Sequence, residues 1–75
     1  LNVDGVLKGL EDLTVRLEDV RDADLWRKFL GVTRALRPIE DGWNRRQCWR
    51  LQQLTAAGER LLLLAETPPR HVTYL

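Results

Sequence analysis

Across residues 3–36 the apolar side chains keep a helical period but change phase once, and that change constrains the fold more than any other feature. Val3, Val6, Leu10, Leu13, Leu17 and Val20 recur at alternating steps of three and four, a heptad seam that Leu7 widens. Lys8, Glu11, Asp12, Arg16, Glu18 and Asp19 fall off the seam and are expected to face water. The seam would continue through Asp24 and Arg27, yet apolar residues resume at Leu25, Trp26, Phe29, Leu30, Val32 and Leu36. Moving from Val20 to Leu25 turns the apolar face by about 140° on a helix of 3.6 residues per turn. One straight helix would bury different sides in its two halves, so a break is expected at residues 21–24, with Asp22 or Asp24 capping a second helix.

The expected helices are therefore 3–20, 24–36 and 44–66. Asn2 or Asp4 can cap the first, and Gly5 and Gly9 weaken its opening turns by about 1 kcal/mol each relative to alanine. Pro38 ends the second, because the residue before a proline is pushed out of the α region. Pro38, Ile39, Glu40, Asp41 and Gly42 read as a loop, and Asp41 or Asn44 can cap the third helix. Its expected apolar stripe is Leu51, Leu54, Ala57, Leu61 and Leu64, flanked by Cys48 and Leu62. Ala57 and Gly58 form a notch of small residues where another helix can pack closely. Thr67, Pro68 and Pro69 stop it.

The expected fold is all-α: a small antiparallel three-helix bundle, or a helical hairpin whose first helix joins a partner in a coiled coil. Residues 1–66 would form this helical domain. Residues 67–75 would be a Pro-Pro tail in which Arg70, His71, Val72, Thr73, Tyr74 and Leu75 have the alternation of a short strand. Such a tail is a loose end, the start of an excised domain, or a strand added to a partner's sheet. A first residue that is leucine rather than methionine fits a piece of a longer protein.

A chain of 75 residues offers room for one core at most. Its longest apolar run, Leu61, Leu62, Leu63, Leu64 and Ala65, is far short of the roughly 20 residues of a membrane span. Asp4, Glu11 and Asp12 interrupt any secretory signal at the front. A lone cysteine, Cys48, and the lack of a glycosylation sequon lean towards an intracellular setting.

Catalytic material is sparse. The sequence has no serine, one cysteine and one histidine. A nucleophilic pair would need Cys48 beside His71 with a third group to orient the ring, but they fall in a helix and in a tail beyond two prolines. Cys48 reads as a small, partly buried apolar residue, although Arg45 and Arg46 can lower its pKa and make it a redox-sensitive thiol. One His and one Cys cannot build a zinc site, and no calcium loop or phosphate-binding glycine loop occurs. No enzyme activity, metal or cofactor is expected.

Binding features are richer. The net charge of +1 hides a segregation of acids into residues 1–24 and bases into 25–50. It reads either as an acidic helix paired with basic neighbours or as a basic face for an acidic partner, RNA or anionic lipid. Three tryptophans interleave with arginines, a pairing common at the energetic centres of interfaces. Trp26 lies beside the Leu25 and Phe29 stripe and belongs to the core, whereas Trp43 opens a helix and can staple it to the preceding loop. Trp49 sits off the third stripe and is left for a partner. Leu63, on the far side of the leucine run, belongs either to a second contact surface or to one covered by the tail folding back through Val72 and Tyr74.

The leading expectation is a non-catalytic protein–protein interaction, adaptor or oligomerisation module, docking a helix or groove of another chain or itself through Trp43, Arg45, Arg46, Trp49, Arg50 and Leu63. The alternative is a structural helical subdomain of a larger protein. A more distant one is RNA or anionic-lipid binding through Arg45, Arg46 and Arg50. The basic stretch 26–37 also has the pattern of a calmodulin target or membrane-surface helix, but a bundle's second helix requires the same residues.

Overall fold

Three helices pack against one another in an up–down–up order in the computed structural model, which describes residues 1–67. Helix α1 spans Val3–Leu17, α2 spans Ala23–Leu36, and α3 spans Arg45–Glu66. A single 3-10 turn, Arg37–Ile39, follows α2 and carries Pro38 in its first turn. This is the expected all-α bundle. Both α1 and α2 lie along α3, the longest helix. None of the described helices is long and apolar enough to cross a membrane.

The ends are set by side chains. Asn2 caps α1 by accepting the Gly5 amide at 3.0 Å. Asp22 caps α2 by accepting the amides of Asp24 at 3.0 Å and Leu25 at 3.4 Å. Asn44 and Gln47 form a reciprocal capping box on α3: Asn44 Oδ1 accepts the Gln47 amide at 2.8 Å, and Gln47 Oε1 accepts the Asn44 amide at 2.9 Å. Gly42 takes a positive φ of 89° in the loop before it, a conformation costly for residues with a Cβ.

Helix α1 ends three residues sooner than the seam implied. Val20 lies beyond it and is exposed, and its carbonyl accepts the indole N–H of Trp26 at 3.0 Å. That bond satisfies the polar atom of a fully buried tryptophan and ties the α1–α2 connection to the core. Leu7, expected to widen the seam, is instead the one residue of α1 that is fully enclosed.

The core joins Leu7 of α1, Trp26 and Phe29 of α2, and Leu51, Leu54 and Leu61 of α3. Val3, Leu10, Leu13, Leu17, Leu25, Leu36 and Trp43 pack around this cluster. The rings of Trp26 and Phe29 meet edge to face, with centroids 5.4 Å apart. Gly58 sits where α2 crosses α3: a Cβ there would come within 2.8 Å of Phe29 Cδ1 and 2.9 Å of Leu30 Cδ2. The inward stripe of α3 is thus Leu51, Leu54, Gly58 and Leu61, with Ala65 packed at its end. Leu64, expected in this stripe, is exposed, because the steps of three and four after Leu61 lead inward to Ala65 and carry Leu64 outward.

The strand pattern at residues 70–75 lies outside the described residues.

Candidate functional site: the outer face of α3

With one side of α3 committed to the core, its opposite side is set by the helical period. Trp49, Gln53, Ala56, Arg60 and Leu63 recur at steps of three and four and are all exposed. Trp49 is 56% exposed and Leu63 65%, with Leu64 beside it. Arg45 and Arg46, also exposed, stand at the helix start on the same side. Among the described residues, no carboxylate lies within ion-pair distance of Arg45, Arg46 or Arg60.

The residues expected at the site separate into two groups. Trp49, Leu63, Arg45 and Arg46 are exposed on α3. Trp43 is half-buried, stands just before the Asn44 cap and packs against the core. Arg50 turns inward along α1, where its guanidinium donates to Glu11 at 2.9 Å from Nε and 2.6 Å from Nη2. Its Nη1 donates to Asp4 Oδ1 at 3.1 Å, and Gln47 Nε2 donates to the same oxygen at 3.2 Å. Only 16% of the Arg50 side chain remains accessible. The hydrogen bond from Arg50 holds the Glu11 carboxyl below its ordinary pKa. Acidic α1 and basic α3 therefore share charge along their contact.

A shallow groove runs beside this clamp, with Glu11 and Thr14 on one wall and Trp49, Gln53, Ala57 and Arg60 on the other. Its volume is about 350 Å³, and Leu54 forms part of its apolar floor. A second groove of about 520 Å³ lies between α2 and α3, lined by Arg34, Arg37, Glu40, Gln52 and Glu59 with buried Thr33 at its base. Thr33 donates its hydroxyl to the Leu30 carbonyl at 3.0 Å, so it presents no unpaired donor.

Cys48 is half-buried, and the Glu40 carboxylate beside it, as a hydrogen-bond partner, pushes its thiol above the ordinary value. This reverses the lowering expected from Arg45 and Arg46, whose positions earlier on α3 place them on its exposed side. Among the described residues, no group of three His, Cys, Asp or Glu side chains is close enough to hold a metal ion. His71 lies outside them.

Sequence reasoning missed Val15, which is 71% exposed on α1. Its signal was available: Val15 falls off the heptad seam, as Trp49 falls off the third stripe.

Comparison with family models, curated proteins and solved structures finds no match for the chain.

Proposed function

We propose that this chain is a non-catalytic interaction or oligomerisation module whose docking face is the outer side of α3. One observation carries the reading. The core closes around Leu7, Trp26, Phe29, Leu51, Leu54 and Leu61 without Trp49 or Leu63, which stay in water at opposite ends of one helix face. Exposed tryptophan is unusual on a small bundle, since its large apolar surface gains nothing until another surface covers it. Arg45 and Arg46 supply a polar rim at one end. Arg50, held by Glu11 and Asp4, contributes by fixing the tilt of α1 against α3 rather than by meeting the partner.

Site-specific crosslinking tests this. A photo-reactive phenylalanine analogue at position 49 is expected to give one defined adduct in an extract of the source cells, lost on Leu63→Glu. The same analogue at position 31, exposed on α2, serves as the control. Equal labelling from both positions, or none from position 49, would refute the reading.

A further inference from the structure

The outer face of α3 is built to match its own reverse. Trp49, Ala56 and Leu63 are spaced by sevens, and Ala56 is the midpoint. On a straight helix such a row drifts by about 20° per heptad, a drift that a left-handed crossing of two helices absorbs. The row from Trp49 to Leu63 extends about 21 Å at 1.5 Å per residue. It has bulky apolar residues at the ends and a small exposed residue in the centre.

From this we infer that the face takes a second copy of the same chain, with the two α3 helices antiparallel and a two-fold axis passing by Ala56. The inference rests on the reading of this face as a docking surface and names its occupant. About that axis, Trp49 of each chain lies over the partner's Leu63, and the two Ala56 residues meet. Alanine at the crossing lets the helix axes approach to about 8 Å, the close end of the usual range. The contact is isologous and closes at two chains.

Charge selects the second copy and its direction. Arg45 and Arg46 occupy one end of α3, while Glu59 and Glu66 lie towards the other. The antiparallel register sets Arg45 on the same flank and at the same level as the partner's Glu66, whose carboxylate is engaged by Arg27 through one oxygen, Oε1, at 3.2 Å. A parallel pair would set Arg45, Arg46 and Arg60 against their own copies, a repulsive arrangement. A uniformly acidic helix would suit the Arg45 and Arg46 end and be repelled by Glu59 and Glu66. A single helix face covers less than the roughly 800 Å² per partner of a standard interface, so the dimer dissociates readily on dilution.

Sedimentation equilibrium of the chain from micromolar to millimolar concentration reads the association. The apparent mass is expected to climb from 8.7 kDa towards twice that value. Ala56→Arg should hold the chain monomeric with its helix content and melting temperature unchanged. Direction is read with a short thiol crosslinker in a Cys48→Ala background. Ala56→Cys alone should give crosslinked dimer, Trp49→Cys alone should not, and a mixture of Trp49→Cys with Leu63→Cys should. A chain that stays monomeric throughout, a dimer that tolerates Ala56→Arg, or self-linking of Trp49→Cys above that of Ala56→Cys would overturn the inference. If the chain is monomeric and the adduct from position 49 is a different polypeptide, the dimer falls and the docking face stands. If there is no adduct either, both fall.

Discussion

Arg50 holds Glu11 by two near-parallel contacts, Nε to Oε2 at 2.9 Å and Nη2 to Oε1 at 2.6 Å. This two-pronged geometry joins the middle of α1 to the first third of α3 and gives direction as well as attraction. Its stability contribution is tied to pH. Because Glu11 is held below its unfolded pKa, the contribution is present above that unfolded value and is lost as pH falls through the folded one. Thermal melts from neutral pH into the acid range should show α1 loosening on the acid side. Glu11→Gln should flatten that part of the profile and Arg50→Met should do the same, each with a melting temperature lowered by a few degrees at neutral pH. An unchanged acid limb in both variants would remove the clamp from the account.

The close passage of α2 over Gly58 makes a second prediction. Leucine at position 58 would have to displace Phe29 and Leu30, which a single added Cβ already crowds. Gly58→Leu is expected to destabilise the fold by about 1–3 kcal/mol despite leucine's better helix propensity, read by urea denaturation. A gain in stability would mean that α2 rides farther from α3.

The Asn44 and Gln47 box makes a third. Asn44→Ala removes the acceptor for the Gln47 amide and should cost about 0.5–2 kcal/mol. Circular dichroism melts are sufficient to detect it, and no loss would indicate that packing of Trp43 alone holds the start of α3.

Helical periodicity alone makes much of the fold legible. The phase slip after Val20 shows that α1 and α2 are separate helices, although the break falls at residues 18–22 rather than 21–24. The cap of each helix is one of the two residues that the sequence offers for it. What periodicity leaves open are choices that depend on neighbours. A heptad pattern names a face but not its centre, so Leu7 and the seam exchange importance once α1 lies along α3 and Leu7 joins the core with Trp26 and Leu54. Periodicity already turns Leu61 inward, but the leucine run blurs the phase after it, and the crossing at Gly58 decides that Ala65 points inward and Leu64 out. At the candidate site, Trp49 and Leu63 can be read from their absence from the third stripe. The inward turn of Arg50 cannot, because it depends on Glu11 and Asp4, some forty residues away in the chain.

The two tryptophans that differ most in burial test the central claim, that α3 has one face for the fold and another for a partner. The measurement is urea denaturation at low concentration of Trp26→Ala beside a Trp49→Ala and Leu63→Ala double variant. Trp26, with no exposed surface, should cost about 3–5 kcal/mol. The double variant should stay within about 0.5 kcal/mol of the parent, as for surface positions outside a packed contact. A double variant weakened by more than about 2 kcal/mol would return Trp49 and Leu63 to the fold and contradict the docking face.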